Sequence, residues 1–257
     1  MGSTFTDQLG QTIRLTDPPA RIISLVPSQT ELLYDLGLDQ EVVGITRFCV
    51  HPKSWFQSKT KVGGTKDFQL EKIDALSPVL IIGNKEENDR ERITALKEKY
   101  PVWMSDVVTL EDALNMIQSV GAIVQKEVQA RTIIQQIRDG FKRLRLKSSA
   151  RLLYLIWKDP WMGAGKNTFI NSMLEHLGLA NVLQEARYPV LTDQAIRDLS
   201  PEVILLSSEP FPFREKHLNE LRQLLPHAKI LLVDGKLFSW YGSRLIKAPE
   251  YFNSLNI

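Results

Sequence analysis

Leu110-Glu111-Asp112-Ala113-Leu114-Asn115-Met116-Ile117-Gln118-Ser119-Val120, continued to Leu146, forms a long stretch without a proline. Leu110, Leu114, Ile117, Val120, Val124, Val128, Ile134, Ile137, Phe141 and Leu144 recur every three or four residues apart from one interval of six after Val128, the spacing that stripes one face of a helix. Thr109 is placed to cap it. Glu111 and Asp112 open the segment and Lys142, Arg143, Arg145 and Lys147 close it, each sign suiting the nearer end of a helix dipole. At 1.5 Å per residue a single helix of this length measures roughly 55 Å, more than one domain is wide. The stretch therefore predicts a rod shared by two lobes, dividing the chain into 1–109, 110–146 and 147–257.

On both sides of the rod, short apolar runs alternate with helical patterns. Before it, Arg21 to Val26, Val42 to Ile45, Val79 to Ile82 and Val102 to Met104 read as strands. Helices are expected from Ser28, as cap, to Gly37, over Leu70 to Leu76 and over Asn88 to Lys99. After it, strands are expected at Leu152 to Ile156, Ile204 to Leu206 and Lys229 to Val233, and helices at Asn167 to Leu177, Arg214 to Leu224 and Tyr241 to Leu255. A hairpin over Thr4 to Leu15 precedes them all, and Arg47 to Phe68 reads as mostly loop. Such alternation implies parallel pairing through crossovers, the α/β class. Leu70 to Ile82 and Asp193 to Leu206 share one pattern, a helix, Ser-Pro and a buried strand, with Glu71 falling on Gln194. The expected fold is thus two pseudo-symmetric lobes with central, mostly parallel sheets, joined by one long rigid backbone helix.

Composition narrows the function. Apolar residues make up 43% and charged residues 24%, with 32 basic and 30 acidic side chains interleaved to a net charge of +2, which argues against a nucleic-acid partner. No apolar run is long enough to span a membrane. The polar start, Met1 to Gln11, lacks the pattern of a secretion signal, so a cytoplasmic protein stays open beside one whose signal was removed. Cys49 is the only cysteine.

In open parallel sheets ligands sit beyond the carboxyl ends of the strands. Those ends carry Pro27 and Ser28, Thr46 to His51 and Asn84 to Glu87, then Trp157 to Trp161, Ser207 to Phe213 and Asp234 to Tyr241. The later set is rich in aromatic side chains, which offer rigid area to a large planar or macrocyclic ligand. Cys49 and His51 alternate along one segment but make only two metal ligands, so no protein-held metal is expected. Gly163-Ala164-Gly165-Lys166-Asn167-Thr168 is not a phosphate loop, because Pro160 and Asn167 stand where that motif needs Gly and Ser or Thr. No nucleophile elbow, zinc-protease motif or dinucleotide fingerprint occurs, and no catalytic residue is assigned.

Three runs now come together: Arg21-Ile22-Ile23-Ser24-Leu25-Val26-Pro27-Ser28-Gln29-Thr30-Glu31, then Val43-Gly44-Ile45-Thr46, then Val62-Gly63-Gly64 with Glu71 ahead of Leu76-Ser77-Pro78. With Gly163 to Thr168, Leu174, Gly178, Asn181-Val182 and Phe238-Ser239-Trp240-Tyr241-Gly242-Ser243-Arg244, they resemble the substrate-binding proteins of ABC importers for vitamin B12, haem and ferric siderophores. The resemblance runs from Phe5 to Phe252 and is closest to the cobalamin-binding branch. It implies a bilobed, monomeric, non-enzymatic receptor outside the cytoplasmic membrane. Its ligand would be cobalamin or another metal chelate, without a covalent cofactor, held in the interlobe cleft and passed to an ABC permease. Phe48, Thr65, Lys66, Lys85, Trp157, Trp161, Tyr188, Trp240, Tyr241 and Arg244 are then the candidate ligand residues, with Thr65 standing where an aromatic is expected. Docking on the permease uses one glutamate per lobe; Glu71 matches the first, whereas Gln194 occupies the second, with Glu202 and Asp193 as acidic substitutes nearby. The alternative reading is an intracellular enzyme or sensor acting on a metal-containing cofactor.

Overall fold

The computed structural model describes residues 2–145 and 148–257, so Met1, the expected helix end at Leu146 and the basic Lys147 lie outside the described residues. The chain forms two compact α/β units. One holds Met1–Val107, Glu111–Ile137 and Tyr241–Arg244, and the other Val108–Leu110, Arg138–Trp240 and Leu245–Ile257.

The first unit opens with an antiparallel hairpin of β1 (Ser3–Thr6) and β2 (Thr12–Leu15). Its elements then run β3 (Ile22–Ser24), α1 (Pro27–Asp35), β4 (Val42–Ile45), α2 (Lys53–Ser58), β5 (Thr60–Lys61), α3 (Leu70–Leu76), β6 (Leu80–Asn84), α4 (Arg90–Lys97) and β7 (Val102–Ser105). The five strands β3 to β7 pair in the order β5-β4-β3-β6-β7, every pair parallel. Ile23, Leu25, Ile81, Val102 and Met104 pack with Phe68, Ile73, Ile93 and Leu96 from the covering helices and loops into one core. One local expectation changes. Ser28 is not the helix cap; Val26 is, and Pro27 takes the first helical position, where its missing N–H costs nothing. The segment Arg47 to Phe68 is mostly loop, as expected, with the short α2 and β5 set within it.

The second unit contains β8 (Arg151–Trp157), β9 (Trp161–Gly163), α7 (Phe169–His176), β10 (Ala180–Asn181), β11 (Val190–Leu191), α8 (Asp193–Leu199), β12 (Val203–Ser207), α9 (Glu215–Leu224), β13 (Lys229–Val233), α10 (Lys236–Ser239) and α11 (Ala248–Ser254); α7 is numbered after α5 and α6, described below. Its sheet runs β11-β9-β8-β12-β13, with β10 also on β8; β8, β10, β12 and β13 pair in parallel while β9 joins antiparallel. The Tyr241 to Leu255 region is not one helix but a short 3-10 turn, Ser243–Ile246, followed by α11.

The internal repeat extends to atoms. Ser77 after α3 and Ser200 after α8 both take left-handed geometry, φ 43° in each. Arg21, just before β3, donates to the Leu76 carbonyl at 2.6 and 2.8 Å, and Arg151, at the start of β8, donates to the Leu199 carbonyl. In each unit an arginine thus satisfies a helix-end carbonyl that would otherwise lack a partner. Glu71 and Gln194 are the second residues of their helices and both are exposed.

The segment from Leu110 is helical, and its residues pass from one unit to the other, but it is two helices: α5 (Leu110–Ile123) and α6 (Glu127–Lys142). Gln125 adopts φ 55°, the Lys126 N–H reaches the Gly121 carbonyl at 2.7 Å and the Gln125 N–H the Ala122 carbonyl at 3.3 Å. Those two bonds are the paired closure of a Schellman helix end, made without the usual glycine at the left-handed position. A Cβ placed on Gly121 would lie 2.4 Å from the Ala130 Cβ, whereas nine residues along a straight helix separate by about 13 Å, so the chain turns here. The turn also shifts the buried face. Val128, expected inside, is 65% exposed, and Ala130, Ile133, Ile137 and Gly140 are the buried positions of α6.

Gly121→Ala should therefore cost about 1 to 3 kcal/mol, the usual penalty for overpacking a filled contact. Urea unfolding of the purified variant reads this directly, and an unchanged midpoint would show that α5 and α6 do not meet as closely as described.

Candidate functional site

In the first unit the loops beyond the strand ends are tied together by one side chain that the sequence reading passed over. Asn88, buried, donates from Nδ2 to the carbonyls of Leu25 (3.2 Å) and Thr65 (2.9 Å) and accepts at Oδ1 from the Asn84 N–H (2.8 Å). The amide therefore binds the loop after β3, the loop carrying Thr65 and the end of β6. Its only sequence signal was its place just beyond a buried strand. Gly83 leaves room for it, since a Cβ there would come within 2.7 Å of Oδ1.

Around this knot, Phe48 stands 49% exposed with the Arg47 guanidinium 5.1 Å from its ring centre, and Arg47 in turn pairs with Asp67 at 2.8 Å. Thr65 is half-buried, Lys66 is exposed, and Lys85 is exposed but paired with Asp106 at 2.6 Å. Tyr241 and Arg244 are engaged inside the unit. The Tyr241 hydroxyl donates to Glu87 at 2.7 Å, and burial together with that carboxylate pushes the phenol well above its ordinary range. Arg244 makes a two-pronged, nearly buried pair with Glu31, both contacts at 2.7 Å. Cys49 is wholly buried against the Thr30 and Thr46 hydroxyls, each 3.1 Å away, and burial raises its thiol pKa. Among the described residues no three His, Cys, Asp or Glu side chains gather as metal ligands.

The second unit sorts its aromatic residues into one that faces out and several that support it. Trp157, at the end of β8, is 40% exposed and meets Phe211 edge-on at 5.5 Å. Phe211 packs on Phe213 at 4.8 Å, and Phe213 stacks on Trp161 at 6.1 Å and 11°. Trp161 is buried, donates to Asp193 at 2.9 Å and lies 4.2 Å under the Lys158 ammonium, which pairs with Glu220. His217 sits edge-on to Phe211 and Phe213 and accepts at Nδ1 from the Arg214 N–H at 2.9 Å, capping α9. Trp240 is buried, with its indole N–H on Glu209 at 2.7 Å; burial raises that carboxyl's pKa against the opposing bonds from Trp240 and Ser239. Tyr188 is half-buried beside the Arg187 guanidinium, 5.8 Å from its ring centre.

The side chains at and near the second position expected to dock are also engaged. Gln194 donates to Asp198 at 2.8 Å. Of the acidic residues named as substitutes, Asp193 accepts from Trp161 and Glu202 accepts the Arg151 N–H at 2.7 Å, so both hold structural bonds.

Residues 22–223 match the family model described as periplasmic binding protein. The chain is 25% identical over 266 residues to the uncharacterized ABC transporter substrate-binding lipoprotein YvrC of Bacillus subtilis, covering 96% of this chain and 83% of that one. Its fold is similar to that of the periplasmic vitamin B12 binding protein BtuF of Vibrio cholerae, with a TM-score of 0.79 at 20% identity over 92% of this chain and 96% of that one. The periplasmic catecholate-siderophore binding protein VctP of Vibrio cholerae superposes with a TM-score of 0.79 at 15% identity over 99% and 98% of the two chains.

His217 supplies a pH test of the aromatic support. Burial, and then Lys216 and Lys158, lower its pKa against the opposing Glu220. A histidine neutral in the fold but free to protonate when unfolded contributes stability above the unfolded pKa near 6.5, and loses it as pH falls toward the folded value. His217→Asn keeps an acceptor for the Arg214 N–H but removes the titration. Its unfolding free energy, measured in urea at several pH values, should fall less than the wild type's as pH is lowered through this window. Parallel curves would assign the acid sensitivity elsewhere.

Proposed function

Because the chain belongs to the periplasmic binding protein family, we propose that it captures a metal-chelate or corrinoid nutrient outside the cytoplasmic membrane and delivers it to an ABC importer, acting as a binding protein and not as an enzyme. The observation that carries this reading is the exposed Trp157 backed by Phe211, Phe213 and Trp161, a flat apolar surface whose support is already packed. A ring held by other rings loses little freedom when a ligand stacks on it. Phe48, Thr65, Lys66 and Lys85 in the first unit and Trp157 and Tyr188 in the second are the ligand contacts. Cobalamin is the first candidate, supported by the similarity to the vitamin B12 binding protein; haem and ferric siderophores follow.

Incubation with cobalamin, haem and ferric siderophores, removal of free ligand and a visible spectrum tests the class directly. Trp157→Ala and Tyr188→Ala should each weaken binding of the retained ligand by about 1 to 3 kcal/mol, the range of an aromatic anchor. Unchanged affinity in folded variants would place the contact surface elsewhere.

Docking is asymmetric in this reading. Glu71 offers a charge to a permease arginine and Gln194 none, so Glu71→Gln should weaken the complex by roughly 2 to 5 kcal/mol. Gln194→Ala should do far less, and Gln194→Glu should strengthen the complex or leave it unchanged. Pull-down with the partner permease compares the three, and equal, negligible effects would count against an importer component.

A further inference from the structure

The run Gly163-Ala164-Gly165-Lys166-Asn167-Thr168, which fails as a phosphate loop, is built in the structure against a second loop, Glu185-Ala186-Arg187-Tyr188. The two are laced by backbone bonds: Gly165 N–H to the Arg187 carbonyl (2.8 Å), Lys166 N–H to the Glu185 carbonyl (2.8 Å) and Arg187 N–H to the Lys166 carbonyl (2.7 Å). Gly163 N–H adds a bond to the Pro189 carbonyl at 3.1 Å. The approach is too close for a side chain at Gly165, where a Cβ would stand 2.1 Å from the Glu185 oxygen.

Both loops carry left-handed backbone at residues other than glycine, Asn167 at φ 57° and Arg187 at φ 69°. Asparagine adopts this region readily; arginine does so at a cost. That cost is tolerated only where surrounding bonds over-determine the conformation, and such positions gather at binding sites. Here the strain places Lys166 and Arg187, both exposed, on adjoining loops, with Arg187 Nη1 held by the Asn167 carbonyl at 3.2 Å and Tyr188 next in the chain. Glu185 is the acidic neighbour, and its backbone carbonyl, turned to Lys166, is what the lacing uses.

We propose that Lys166 and Arg187 form a preorganised oxyanion subsite that receives a carboxylate or phosphodiester of the ligand, with Tyr188 alongside. A guanidinium already held by a carbonyl of the adjoining loop loses less freedom on binding an oxyanion than one on a mobile loop, and two cations on laced loops set orientation as well as charge. The subsite rests on the nutrient-binding reading above, and it goes further by requiring the ligand to carry an oxyanion.

Three probes separate the sources of that anion: haem, with two propionates; cyanocobalamin, with one phosphodiester; and dicyanocobinamide, which lacks the phosphate. The double variant Lys166→Gln/Arg187→Asn removes both charges, and asparagine accepts the left-handed backbone. For whichever of haem or cyanocobalamin the wild type binds, the variant should raise Kd by about tenfold and flatten its dependence on salt. Affinity for dicyanocobinamide should stay within about twofold. Arg187→Lys, which keeps the charge, should retain most of the affinity. A double variant with an unchanged melting temperature and unchanged Kd for the oxyanion-bearing ligand overturns the subsite and leaves the binding reading standing. Equal losses for all three probes overturn it as well, since they would mark a general disturbance. A wild-type protein that binds none of the three and no ferric siderophore ends both readings.

Discussion

A strand with parallel neighbours on both sides must bury both of its faces, and β3, β6 and β12 are such strands, with every residue buried in each. The rest follows from that requirement. Helices must cover the sheets, connections must return to the same side, and the strand ends that emerge together carry the polar side chains for which the interior has no place. Ser24, Asn84, Ser105 and Ser207, the last residues of their strands, are all buried and mark this boundary. Asn88 then satisfies three backbone groups at once, which ties the first unit's loops together.

The same requirement explains what the sequence made legible. Sheet strands are written as short, largely apolar runs, so Val42 to Ile45 and Lys229 to Val233 can be read to the residue, even though Lys229 and Leu232 of the second are exposed. The Ser-Pro repeat is legible because a left-handed serine and a proline must follow each helix in the same order. Elements that owe their form to distant contacts are not legible. β9 is three residues long and antiparallel, β10 and β11 are two residues each, and α2 buries only Trp55. The turn at Gln125 escaped notice for a further reason. Its left-handed position holds Gln125 and not glycine, no proline follows, and the apolar stripe on the two sides of it matches a continuous helix to within a residue or two, so that the exposure of Val128 marks the change of phase.

The candidate site was legible as a composition and not as an arrangement. Trp157 and Trp161 lie four residues apart and both follow an apolar strand, yet the reversal between β8 and β9 turns one outward and packs the other on Phe213. No local signal separates them. The difference comes from Asp193, thirty-two positions later, which takes the Trp161 N–H and lets that indole be buried without an unsatisfied donor.

Trp240 and Tyr241 carry the point further. Their neighbouring polar atoms go to different acids, Glu209 and Glu87, and after Arg138 the chain belongs to the first unit only at Tyr241–Arg244. Gly242 is required there by space, since a Cβ would lie 2.9 Å from the Ser28 carbonyl oxygen. A buried ion pair such as Arg244 with Glu31 adds little net stability, because desolvation offsets most of the attraction, but losing one partner strands the other charge at a cost of about 3 to 5 kcal/mol. Such a pair is therefore poor glue and a strong address: it penalises every other path for these four residues far more than it rewards this one. Trp240, Tyr241 and Arg244, expected among the ligand residues, thus also hold bonds at the chain's return to the first unit, where Gly242 is required by space.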